Sequence, residues 1–147
     1  AEDAERGYLR FDIALLARRL VGATDWLKQT PATKGLIIGY FGASTGAAAA
    51  LMAAVERPEA VGAIVSRGGR PDLAATALSQ VRAPTLLIVG GHDFSVITLN
   101  RDALSKLCAE KELAIVSGAT HLFEEPGALD EVARLAADWF AKYLTRK

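Results

Sequence analysis

GLIIGYFGASTGAAAALMAAV, residues 35–55, is the stretch whose reading decides the fold. It carries no charge, which raises the question of a membrane span, but its two halves differ in kind. The first seven residues are apolar, β-branched and aromatic between glycines. Residues 42–46 read as a turn, and alanine dominates from Thr45 onward. A spanning helix would be continuous and more strongly apolar. The stretch therefore reads as a strand at 36–40, a turn, and a helix at 45–56 stopped by Arg57-Pro58.

The neighbouring segments extend the pattern. Upstream, Phe11, Ile13, Leu15, Leu16, Leu20, Val21 and Leu27 recur at helical spacing, with Arg18, Arg19 and Lys28 between them. This predicts an amphipathic helix over 11–29, ended at Thr30-Pro31. Downstream, short apolar runs predict strands at 63–66, 85–89 and 113–116. Helices are expected from about Asp72, at 97–109 and at 126–143. One leading helix within 1–34 is thus followed by four strand–helix units over 35–147. Such alternation implies a single α/β domain over 1–147, a mostly parallel sheet of about four strands with helices on both faces.

Composition narrows the partners. A chain of 147 residues, 51% of them apolar, can bury a sizeable core, removing roughly 68–70% of its unfolded surface from water. Its 17 basic and 17 acidic residues are interspersed, without the basic stripe that neutralises phosphates. Nucleic acid and anionic membrane are thereby disfavoured as main partners, and a small molecule fits better. The lone Cys108 cannot pair within the chain or build a cysteine zinc site, and its spacing predicts a buried, inert thiol. No basic region followed by an apolar run and a cleavage site marks secretion, so the expected location is cytoplasmic. The first residue is Ala1 rather than Met, which suggests a processed product or part of something longer.

In an open parallel sheet, ligands bind beyond the carboxyl ends of the strands. The first such loop is Gly42-Ala43-Ser44-Thr45-Gly46, a G-x-S-x-G pattern at a strand-to-helix junction. A turn this sharp holds the serine in a strained conformation, and side chains at Gly42 or Gly46 are expected to collide with neighbouring backbone. The competing reading is a phosphate-binding loop for a nucleotide. However, G-x-G-x-x-G is not satisfied, and no Lys-Ser or Lys-Thr follows. A serine hydroxyl needs a base, and the chain has two histidines. His121 lies just after the fourth strand, at the same sheet edge as Ser44. Asp93, after the third strand, can orient it. The order Ser44, Asp93, His121 is the nucleophile, acid, base order of α/β-hydrolases.

Several neighbours have simpler readings. Asp72 follows the second strand, a second possible place for the acid, but reads better as a helix cap. His92 reads as a solvated loop residue. Glu124 and Glu125 precede Pro126 at a helix start, where acidic residues suit the helix dipole, and no catalytic role is assigned to them. Arg67 and Arg70 flank Gly68-Gly69 near the site and are candidates to grip a substrate carboxylate or phosphate, against the alternative of solvated loop charges.

GYFGASTG, APTLLIVGGHD and GATHLFEEPG together resemble the C-terminal half of an α/β-hydrolase. The group they are most similar to is the dienelactone-hydrolase-like one that in some bacteria accompanies phosphoribosyltransferases. The resemblance covers nearly the whole chain. It implies a truncated α/β-hydrolase fold with Ser44 as nucleophile, Asp93 as acid and His121 as base. It implies no cofactor and a small ester-type substrate. Dienelactone hydrolases proper carry cysteine at the nucleophile position, so the serine looks more like an esterase variant. Family members also have further strands ahead of the position of Phe11, and a loop among them gives one N–H of the oxyanion hole. The donor this sequence supplies is the N–H of Thr45. Losing a single donor costs a serine protease about 2.7–4 kcal/mol of transition-state stabilisation. The strand at 36–40 is then expected to form an apolar sheet edge, open to a second copy or to an N-terminal segment.

Overall fold

The computed structural model describes residues 12–145. Phe11, the first residue of the expected leading helix, lies outside them. Helix α1 (Ile13–Gln29) is capped by Asp12, whose carboxylate accepts the Leu15 N–H at 3.0 Å. Then follow β1 (Ile38–Ala43), α2 (Thr45–Glu56), β2 (Val61–Arg67), a 3-10 segment (Pro71–Gln80), β3 (Thr85–Gly90), α3 (Phe94–Lys106), β4 (Lys111–Val116) and α4 (Ala128–Tyr143).

The four strands pair in parallel in the order β1-β2-β3-β4, as the alternating pattern requires. Moving one strand over at each right-handed crossover keeps the connections on one side. There Val21 of α1, Ala48 and Leu51 of α2, Leu78 of the 3-10 segment and Ala103 of α3 bury Tyr40, Ile64 and Leu87. Among the described residues, the opposite face is covered by α4 alone, through Ala128, Val132, Ala136 and Trp139 on Ala63, Val65, Leu86 and Ile88. Neighbouring residues of one strand thus enter different cores, the period of two expected of a sheet covered on both faces. Helix α2 is the most enclosed of the helices. Its alanines let it lie close to β1 while α1 and the 3-10 segment flank it.

Three expectations change. The segment after β2 is a 3-10 helix interrupted at Ala75 (φ 51°, ψ −124°) rather than an α-helix, consistent with the short runs that 3-10 geometry sustains. Asp72 does not cap it. Arg70 occupies the cap position, and the Asp72 carboxylate accepts two bonds from the Arg70 guanidinium, at 3.0 and 2.9 Å. Finally, α3 lies three residues upstream of its expected span. Leu107 leaves the helix extended and fills the core, so Cys108 falls beyond it and is exposed, not buried. No described helix is long and apolar enough to cross a membrane.

Candidate active site

Each strand delivers at least one candidate group to the carboxyl edge of the sheet. Strand β1 runs three residues past its expected end, to Ala43, and the chain then turns into α2 through Ser44 at φ 51°, ψ −123°. A non-glycine residue with positive φ costs of order 1–3 kcal/mol and persists only where its surroundings impose it. Here the surroundings are visible. The Ser44 N–H donates to Arg67 O at 3.4 Å, and Ser44 O accepts the Arg70 N–H at 3.0 Å and the Ala47 N–H at 3.2 Å. Ser44 occupies the N-cap position of α2, yet its hydroxyl makes no capping bond. Thr45 is the first residue of α2, at the positive end of the helix dipole.

The two glycines of the G-x-S-x-G pattern differ. A Cβ on Gly42 would stand 2.5 Å from Gly46 O and 2.8 Å from Ala47 Cα, so strand and helix meet in backbone contact there. A Cβ on Gly46 would meet nothing within 4 Å among the described residues, so the expected collision is absent at that position.

Asp93 stands at the N-cap of α3, where a carboxylate ordinarily accepts a bond from the helix's own first turn. It makes no such bond. Instead Oδ2 lies 2.8 Å from Nδ1 of His121. An ionised carboxylate only accepts hydrogen bonds, so the contact keeps the proton on Nδ1 and leaves Nε2 as the basic nitrogen. The Asp93 side chain is 13% exposed and that of His121 43%, an acid tucked beneath an accessible ring. The loops bearing them are joined by the His92 N–H, which donates to Ala119 O at 2.9 Å. Gly90 lets them approach, since a Cβ there would fall 2.4 Å from Ala119 O.

The β2 loop touches both the histidine and the serine. Gly68, at φ 53°, rests against His121, whose Nδ1 would be 3.5 Å from a Cβ at that position. The preceding residue, Arg67, accepts the Ser44 N–H. Asp93 and His121 are therefore brought into direct contact. Ser44 is bonded to the backbone of Arg67 and Arg70 in the same loop, and no hydrogen bond joins it to His121. The Arg67 guanidinium lies 5.4 Å from the centre of the Phe123 ring and donates to Leu122 O at 3.5 Å. Arg70, by contrast, is paired with Asp72. Asp72 faces that partner, and the His92 ring lies 6.0 Å from that of Phe94.

Glu125, to which sequence reasoning gave no role, is part of this edge. Its carboxylate accepts the Thr120 N–H at 2.9 Å and the Thr120 hydroxyl at 2.8 Å, and those bonds hold its pKa below the ordinary carboxylate value. The signal available in the sequence was its place four residues after His121 and directly before Pro126. Among the described residues, no group of three or more His, Cys, Asp or Glu could hold a metal ion.

Residues 9–145 match the sequence pattern of the dienelactone hydrolase family. The crystal structure of a dienelactone hydrolase from Anabaena variabilis superposes with a TM-score of 0.96 at 64% identity. The match covers 97% of this chain and 66% of that one. A Mycobacterium tuberculosis protein carrying the name "putative phosphoribosyl transferase" is 58% identical over 134 residues, 91% of this chain but 30% of its own length. A protein from Thermoplasma acidophilum described as a predicted CIB-like hydrolase shares the fold at 24% identity, with a TM-score of 0.69 over 90% of this chain and 61% of that one. The chain thus spans about a third of the mycobacterial relative and just under two thirds of the Anabaena structure.

Proposed function

The chain belongs to the dienelactone hydrolase family, and from that premise we propose that it carries the catalytic half of a serine hydrolase acting on an ester, thioester or lactone. The hydrogen bond between His121 and Asp93 carries this reading, taken with the strained Ser44 at the end of the neighbouring strand.

In the proposed reaction Nε2 of His121 takes the Ser44 proton as Oγ attacks the substrate carbonyl. The resulting oxyanion is met by the Thr45 N–H at the start of α2. Collapse of the tetrahedral intermediate expels the alcohol, thiol or ring oxygen, which receives the proton from His121. Water, deprotonated by the same imidazole, then releases the acid from Ser44. Asp93 holds the ring and stabilises its cation throughout. Arg67 is assigned to a substrate carboxylate or phosphate, because the Arg70 guanidinium is directed at Asp72. These steps require no cofactor.

A fluorophosphonate probe tests the assignment. The wild-type chain should be labelled at Ser44 and the Ser44→Ala variant should not; equal labelling of both would refute it.

A second reading is supported by the edge strand. Among the described residues β1 has no partner strand on its outer side, and Leu36 and Ile37 just before it and Phe41 within it are 54%, 40% and 50% exposed. Such an edge favours strand addition by another copy or by an N-terminal segment of a longer chain. Light scattering across a concentration series tests self-association, and a monomer at every concentration would count against it.

A further inference from the structure

We propose that Glu125 is a positioning residue for His121, acting through Thr120 to hold the turn that carries the imidazole. The inference rests on the reading of His121 as the base.

The segment from Gly118 to Gly127 reverses direction repeatedly, with positive φ at Gly118 (75°), Phe123 (56°) and Gly127 (80°). It lies wholly between β4 and α4 and belongs to no strand or helix that would fix it. Thr120 organises it. Its carbonyl accepts the Phe123 N–H at 3.1 Å, closing a turn around His121 and Leu122. Its N–H and hydroxyl both go to the Glu125 carboxylate, so every polar group of the residue preceding His121 is engaged, two of them by one side chain. Glu125 is in turn anchored. Pro126 restricts its backbone to extended conformations, and Glu125 O accepts the N–H of Ala128, the first residue of α4. Helix α4 is packed on the sheet, so the clasp ties the histidine turn to the rigid body of the fold.

A charged carboxylate accepting two bonds is stronger and more directional than a neutral acceptor. The Asp93 contact at Nδ1 fixes the rotation of the imidazole ring. Where the ring as a whole sits, and so where Nε2 points, depends on the backbone of residue 121, which Thr120 and Glu125 hold. The lowered pKa of Glu125, caused chiefly by the Thr120 N–H and then by its hydroxyl, agrees with this role.

The experiment uses the full chain and two measurements. One is the rate and end-point of Ser44 labelling by a fluorophosphonate. The other is the Nδ1–H signal of His121 in imidazole NMR, tractable because the chain has two histidines. Glu125→Gln replaces one acceptor with a donor facing a donor. It should slow labelling roughly tenfold or more, as small displacements of a catalytic group do. The end-point should stay complete, and the His121 Nδ1–H signal should broaden or vanish. Complete labelling at a lower rate separates displacement from partial unfolding, which lowers the end-point. Thr120→Val, which removes only the hydroxyl bond, should give an intermediate rate, and Thr120→Ser, which keeps both bonds, should restore it. An unchanged rate and an unchanged signal in Glu125→Gln would overturn the proposal. If Glu125→Gln does not fold, Thr120→Val against Thr120→Ser decides by the same criteria. If wild type is not labelled at all, the hydrolase reading fails by itself. The NMR signal then judges the clasp, with its loss in Glu125→Gln supporting it and its persistence refuting it.

Discussion

The backbone N–H of Arg70 donates to the carbonyl of Ser44 at 3.0 Å, so the loop leaving β2 closes over the turn leaving β1. Asn100 holds that loop from the other side. This asparagine is fully buried in α3, and its Nδ2 donates to Gly69 O at 3.0 Å and to Val96 O at 2.8 Å. The residue next to the Ser44 contact is thereby tied to a core helix.

Replacing Asn100 with Ala should therefore destabilise the fold by about 1–3 kcal/mol, the cost of stranding a buried carbonyl. At this chain length that corresponds to a fall in Tm of about 2–4 °C per kcal/mol, measurable by thermal unfolding followed by circular dichroism. A variant melting like wild type would show that the Gly69 carbonyl finds another donor.

The glycines of the serine turn should respond in opposite directions. Gly42→Ala drives a methyl group into the backbone of Gly46 and Ala47, an overpacking that costs about 1–3 kcal/mol or more. Gly46→Ala adds a methyl group to open space inside α2, where alanine is favoured over glycine by roughly 0.5–1 kcal/mol. Urea midpoints for the two variants on either side of wild type are the expected result.

Asp25 and Arg57 give a pH-dependent test away from the candidate site. The Asp25 carboxylate accepts Arg57 Nε at 2.7 Å and Arg57 Nη2 at 2.9 Å, joining α1 to the end of α2, and this hydrogen bonding lowers the pKa of Asp25. A carboxyl group whose pKa is lower folded than unfolded stabilises above the unfolded value, and loses that contribution as pH falls through the folded one. The Tm difference between wild type and Asp25→Asn should accordingly be largest near neutrality and shrink toward acid pH. The pair is partly exposed, so the difference should also diminish with salt. A gap that stays constant with pH would show that the pair contributes through packing alone.

Order along the chain was legible where it is written in local chemistry. Apolar runs bounded by glycine or proline marked all four strands. The change from β-branched to alanine-rich sequence around Ser44 marked the junction at which β1 ends and α2 begins. The approach of Asp93 to His121 was also legible, because parallel topology sends the ends of β3 and β4 to one edge and both residues stand just beyond. What escaped depends on contacts between segments whose facing cannot be read from spacing. Cys108 and Leu107 are adjacent, and periodicity alone does not say which one leaves the helix toward the core. Glu125 looked like a helix-start carboxylate until the turn at Phe123 folded Thr120 back against it. The open space at Gly46 is likewise invisible in a motif that carries glycine at both ends.

Backbone strain supplies the last prediction. Ser44 at φ 51°, ψ −123° and Ala75 at φ 51°, ψ −124° adopt almost the same conformation, one at the candidate nucleophile and the other at an exposed break in the 3-10 segment. Glycine tolerates this region without steric cost, although it also loses more chain entropy on folding. The net gain from either substitution should be about 1 kcal/mol, the strain of roughly 1–3 kcal/mol less that entropy. Ala75→Gly should raise the Tm and leave fluorophosphonate labelling intact. Ser44→Gly should raise the Tm and abolish labelling, trading reactivity for stability at that one position. If Ala75→Gly stabilises and Ser44→Gly does not, the hydroxyl of Ser44 contributes to folding, and the strain there is not maintained for chemistry alone.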